Sequence, residues 1–130
     1  MKFLALIYND EHLYTDATPQ DIAATFEAHG KFGQAAGEAG VFLGGEGLQP
    51  IATATTVRVR DDERMLTDGP YAETKEQLGG YYLLECKDLD DALNWVAQIP
   101  EAKTGAIEVR PIMDYAALEN QAAGAESAAS

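Results

Sequence analysis

The chain has 130 residues, enough for one domain whose core needs neither a metal nor a disulfide to form. Nine basic residues against twenty-two acidic ones give a net charge of −13, which repels phosphate backbones and anionic lipid and so argues against nucleic-acid and membrane-surface binding. A single cysteine, Cys86, excludes an internal disulfide and fits a reducing, cytoplasmic setting.

The opening Met1 to His12 is a short apolar run that meets acid within about a dozen residues, so it reads as a strand and not as a signal peptide. No stretch approaches the roughly 20 apolar residues of a membrane span. In the strand Lys2 to Tyr8, Phe3, Ala5 and Ile7 share one face, and Leu4, Leu6 and Tyr8 share the other. Both faces are apolar, so both need a cover. Helices of the same chain supply one, and a second subunit is the economical source of the other.

Thr18-Pro19-Gln20-Asp21 carries a helix-start pattern: a capping hydroxyl, a proline at the first helical position and an acid at the positive end of the dipole. The helix is expected to run to about Ala39 and stop at Gly40, with Ile22, Phe26, His29, Gly33 and Ala36 as its sheet-facing stripe. Gly30, Gly33 and Gly37 have two readings. Either they let the helix lie close on the sheet, or they leave room for a ligand beside His29. A second strand begins at Val41 to Leu43 and is expected to break at Gly44-Gly45. Thr55 to Arg60 and Arg64 to Thr67 read as a hairpin turning at Asp61 to Glu63. Asp68-Gly69-Pro70 forces another turn, and Gly79 to Lys87 is a strand. Asp88 caps a second helix bearing Leu89, Ala92, Leu93 and Val96 and ending near Ile99-Pro100, and Ala106 to Ile112 is the last strand. One domain, residues 1–113, is followed by a tail, 114–130, whose alanine, serine and acid predict fraying. The order is that of a βαββαβ, ferredoxin-like α+β sheet, antiparallel and with its helices on one face.

Two places can carry chemistry. Residues 68–80 hold Asp68, Glu73, Lys75 and Glu76 on a tightly fixed turn, as an acid–base group or as surface pairs. His29 lies on the inward stripe, and an imidazole there serves as a proton carrier or as a satisfied core group. Tyr8, Tyr71, Tyr81 and Tyr82 can line a pocket with hydroxyls or serve simply as good strand residues. Asn9 to His12 does not have metal-ligand spacing, and no pattern calls for a metal or a cofactor. The glycines at 44–47 lack a dinucleotide fingerprint, and there is no nucleophile elbow.

The run TDGPYAETKEQLGGYYLLE at 67–85 resembles the signature of the DGPF-motif branch of the YCII-related proteins, with Tyr71 where the motif has phenylalanine. MKFLALIYNDE at the start, AGVFLGGEGLQPIATATTVRV at 39–59 and GAIEVRPIM at 105–113 extend the likeness over most of the chain. The resemblance implies a dimeric α-β barrel. It also implies a His-Asp pair between sheet and helix, the histidine eleven residues before a glycine, as His29 stands before Gly40. The relatives' aspartate precedes a proline after the second helix, whereas Ile99 precedes Pro100 here. Asp68 is the expected substitute, with Tyr8, Glu73, Lys75 and Tyr81 as ligand contacts. Acid–base chemistry on a small carbonyl compound or lactone is the first expectation. A regulatory partner of an alternative sigma factor, which the resemblance implies, and a metabolite sensor are the others.

Overall fold

The computed structural model describes residues 1–129, and the side chains of residues 1–124. Its elements are β1 (Lys2–Asn9), a one-turn helix α1 (His12–Thr15), α2 (Pro19–Glu38), β2 (Phe42–Gly47), β3 (Thr55–Arg60), β4 (Glu63–Asp68), β5 (Gln77–Glu85), α3 (Leu89–Val96), β6 (Ala106–Pro111) and α4 (Tyr115–Ala129). β2, β5, β1 and β6 form one antiparallel sheet in that order, while β3 and β4 pair as a separate hairpin. An α+β chain with this strand order and its helices on one side is consistent with a ferredoxin-like fold. No helix among the described residues is long and apolar enough to cross a membrane.

The alternation of β1 decides which face is covered. Phe3, Ala5 and Ile7 are buried, and they join Phe32 and Ala36 of α2, Leu84 of β5, Ala92 and Val96 of α3, and Ile99 in one core. Each large side chain fully withdrawn from water there contributes about 1.5–3 kcal/mol. Leu4, Leu6, Tyr8, Tyr81 and Leu83 lie on the other face and are half-buried.

Several local expectations need correction. Along α2 the inward residues are Thr25, Ala28, His29, Phe32, Gly33 and Ala36, whereas Phe26 is 71% exposed and Ile22, at the edge of a cavity, is 37% exposed. The helix is rotated so that Phe32, not Phe26, meets the rings of Tyr82 and Trp95, with centroids at 4.9 and 6.3 Å. Gly30, Gly33 and Gly37 permit no close approach, since an added Cβ would meet nothing within 4 Å at any of them. β2 does not break at Gly44-Gly45 but continues through Gly47, because its glycines admit the neighbouring strand closely. A Cβ on Gly45 would lie 2.6 Å from Tyr82 Cδ1 and 2.7 Å from the Tyr81 carbonyl oxygen. α3 stops at Val96, short of Ile99, and a 3-10 turn follows at Pro100–Ala102. The hairpin turns at Asp61 and Asp62, both with positive φ, as a two-residue connection requires. Of the residues expected as a tail, Tyr115–Ala129 form α4, exposed wherever its side chains are described, and Ser130 lies outside the described residues.

The loop after β1 is tied on two sides. The Glu11 amide donates to Gln77 Oε1 at 2.9 Å, and Glu11 Oε1 accepts from the Ile51 amide at 2.7 Å. Gln77 in turn donates through Nε2 to the Thr74 carbonyl at 2.7 Å.

Candidate proton-transfer site

The site grows out of the first turn of α2. Thr18 Oγ1 accepts from the Asp21 amide at 3.1 Å and Asp21 Oδ2 accepts from the Thr18 amide at 3.3 Å, a reciprocal cap that fixes where the helix begins. Counting from that start, His29 arrives on the sheet-facing side. Its Nδ1 lies 2.7 Å from the Tyr82 hydroxyl and its Nε2 lies 2.7 Å from Glu101 Oε1. Tyr82 is held by its ring, against Phe32 at 4.9 Å, Phe42 at 5.9 Å and the bare backbone of Gly45. Glu101 is presented by the 3-10 turn that Pro100 begins, and its own carbonyl accepts from the Gly105 amide at 2.7 Å. Tyr14 of α1 completes the cluster by donating to Glu101 Oε1 at 2.8 Å.

A carboxylate only accepts, so Nε2 of His29 carries the proton it shares with Glu101. In the neutral imidazole Nδ1 then accepts from the Tyr82 hydroxyl, and in the imidazolium it donates to the same oxygen. Burial pushes the Glu101 carboxyl upward, but the hydrogen bonds from His29 and Tyr14 outweigh it and hold the group below its ordinary value. Burial and then the bond to Glu101 push Tyr14 up to about 12. Burial, followed by the negative charge of Glu101, also raises Tyr82. Both phenols therefore remain protonated at neutral pH.

Glu101 is only 4% exposed, and its second oxygen, Oε2, is buried with no hydrogen-bond partner among the described residues. Glu101 also borders a cavity of about 310 Å³ whose walls include Tyr14, Leu13, Ile22, Thr25 and Lys103. An unpartnered buried carboxylate oxygen costs about 1–3 kcal/mol or more, and the two charge-assisted bonds on Oε1 offset that cost.

The residues singled out from the sequence fall in three places. His29 is in this cluster. Asp68 ends β4, opposite Thr55 in the separate hairpin, and its side chain makes no hydrogen bond or ion pair among the described residues. Glu73 and Lys75 are exposed and form no ion pair with each other. Tyr81 lies on the face of β5 opposite Tyr82, as adjacent strand residues must. Tyr8 lines a second cavity, of about 510 Å³, with Pro70, Tyr71 and Leu78. The carboxylate facing His29 is thus Glu101, which the sequence reading did not name, and Tyr14 was missed with it. One signal was available: the acid absent before Pro100 stands immediately after it. Among the described residues no three histidine, cysteine or carboxylate side chains gather as a metal set.

An uncharacterised protein of Rhizobium meliloti strain 1021 is 35% identical over 117 residues, covering 88% of this chain and 94% of its own length. Residues 1–116 match the YCII-related domain, which spans every strand and every side chain of the cluster. The chain belongs to the YCII-related family.

Proposed function

We propose that the cleft between α2 and the sheet is a small-molecule site that moves protons, as an isomerase or lyase acting on a small carbonyl compound or lactone would. The observation that supports this reading is His29, held at 2.7 Å on both ring nitrogens between Tyr82 and a buried carboxylate that also borders a cavity. His29 is the proton carrier. As a proton reaches the Tyr82 oxygen, the Tyr82 hydroxyl passes its own to Nδ1, and Glu101 balances the imidazolium that results. The reverse step returns the proton, so Tyr82 is neutral before and after. Glu101 takes the orienting role expected of Asp68. A surface recognising a sigma factor by charge would need no buried relay of this kind, so the cluster favours chemistry over that partner.

The test is deuterium uptake from D2O into a panel of enolisable carbonyl compounds and lactones, followed by proton NMR. Exchange by the native protein, lost in His29→Ala and kept in Asp68→Asn, supports the reading. Exchange that survives His29→Ala, or none across the panel, refutes it. We propose further that two copies pack through the half-buried row Leu4, Leu6, Tyr8, Tyr81 and Leu83 as a dimeric α-β barrel. Sedimentation should return twice the monomer mass, and a stable monomer would end that proposal.

A further inference from the structure

We infer that Glu11 and Gln77 are positioning residues for the His29 cluster, acting through Tyr14, which fixes the carboxylate of Glu101 against the imidazole. This role rests on the proton-transfer reading of that cluster and gives the turn at 68–80 a part in it. The torsion that turns a glutamate's carboxylate is soft and roughly two-fold, so the rotamer of Glu101 does not by itself choose which oxygen meets His29. A second donor makes the choice. The Tyr14 hydroxyl donates to Oε1 at 2.8 Å, the same oxygen that lies 2.7 Å from His29 Nε2, while Oε2 has no partner among the described residues. With one lone pair of Oε1 taken by the phenol, the other is held toward the imidazole.

Tyr14 has to be held in its turn. It stands on α1, a helix of four residues that is too short to persist alone, and it is 40% exposed. The amides of Tyr14 and Thr15 both donate to the Glu11 carbonyl, at 2.9 and 3.0 Å, so the place of Glu11 sets the place of the helix. The bonds from His12 and Leu13 go to Asp10 and tie α1 to no other element. Glu11 supplies that tie on two sides. Its amide donates to Gln77 Oε1 at 2.9 Å, and its own Oε1 accepts from the Ile51 amide at 2.7 Å. Gln77 is locked by Nε2, which donates to the Thr74 carbonyl at 2.7 Å. An unbroken series of hydrogen bonds thus runs from Thr74 and Gln77 through Glu11, Tyr14 and Glu101 to His29. Neither Glu11 nor Gln77 lines the cavity that Glu101 borders, so both act at a remove.

The experiment follows two NMR signals of the full chain. One is the Tyr14 hydroxyl proton, identified by its loss in Tyr14→Phe; the other is the titrating Glu101 carboxyl carbon, identified by its loss in Glu101→Gln. In Glu11→Ala and Gln77→Leu the hydroxyl signal should be lost to exchange with water. The Glu101 midpoint should rise in both, as in Tyr14→Phe, because burial pushes that carboxyl up and the phenol is one of the bonds that hold it down. Glu11→Gln keeps an acceptor for the Ile51 amide and should restore both signals. A general loss of stability moves neither signal while the chain stays folded, which separates positioning from bulk support. Native signals in Glu11→Ala and Gln77→Leu overturn the inference. Glu11→Gln behaving as Glu11→Ala overturns it too, since charge and not the hydrogen bond would then be at work. If the native protein exchanges deuterium, Glu11→Ala should slow that exchange roughly 10- to 100-fold and Glu11→Gln should not, and an undiminished rate in Glu11→Ala overturns the inference. Proton transfer fails separately: no exchange by the native protein refutes the reaction, and the two NMR signals still decide the positioning.

Discussion

Replacing Glu101 with glutamine should destabilise the protein by about 2–3 kcal/mol at pH 7, and the deficit should fade in acid. The native carboxylate accepts from His29 at 2.7 Å and from Tyr14 at 2.8 Å, both inside a site where Glu101 is 4% exposed. Hydrogen bonds to a charged group contribute about 1.5–3 kcal/mol and neutral ones about 0.5–1.5, so converting two of them loses about 1–1.5 kcal/mol each. Glutamine keeps the shape and one acceptor, which isolates the charge from packing. The pH dependence follows from linkage. A carboxyl held below its unfolded value adds stability that is complete above that value, 4.5 here, and is lost as pH falls through the lower folded one. Urea melts of the native protein and Glu101→Gln between pH 7 and pH 3 measure both quantities. At about 4 °C per kcal/mol the thermal midpoint at pH 7 should drop by roughly 8–12 °C. A variant within about 0.5 kcal/mol of native at pH 7, or a gap as wide at pH 3 as at pH 7, would refute the reasoning, since either means that the charge is not held by these bonds.

Tyr14, held up to about 12, should appear in an ultraviolet titration as the last phenol to ionise, in a component missing from Tyr14→Phe. Because its folded value is raised, the stability it adds is complete below pH 10 and disappears as pH climbs through the folded value. Phe32→Ala should cost about 3–5 kcal/mol in denaturant melts, whereas Phe26→Ala, at a position 71% exposed, should cost under about 1. Equal costs would contradict the observed rotation of α2. Gly45→Ala forces a Cβ against the Tyr82 ring and the Tyr81 carbonyl and should cost about 1–3 kcal/mol. Moving Tyr82 should also abolish any deuterium exchange that the native protein supports.

Strand order and the ends of α2 were readable because they depend on local chemistry. The alternation of Phe3, Ala5 and Ile7, the cap at Thr18 and the stop at Gly40 are each written within a few residues. The rotation of α2 was harder to read. Both Phe26 and Phe32 satisfy a helical period in some register, and only the distant Tyr82 and Trp95 choose between them. The glycines of β2 looked like a break for a similar reason, since the partner they admit lies on β5. His29 was visible as an inward titratable residue. Its carboxylate was not, because 72 residues separate His29 from Glu101 and the pairing is made by the turn at Pro100. The dense motif at 68–80 drew attention to Asp68, yet its described bonds hold the chain in shape: the Gly69 amide to the Ala54 carbonyl at 2.8 Å, and Thr56 Oγ1 to the Gly69 carbonyl at 2.8 Å.

The double tether at Glu11 gives α1 a kinetic character. Tyr14 sits one turn beyond Glu11, so the segment cannot swing from the cavity without also giving up Gln77 and Ile51. Three distant stretches of chain thus share one opening event. The amides of Glu11 and Ile51 should exchange with solvent at a common rate, set by the same excursion that bares Glu101 to water. The gate to the buried carboxylate can then be timed from two backbone amides, with no ligand bound.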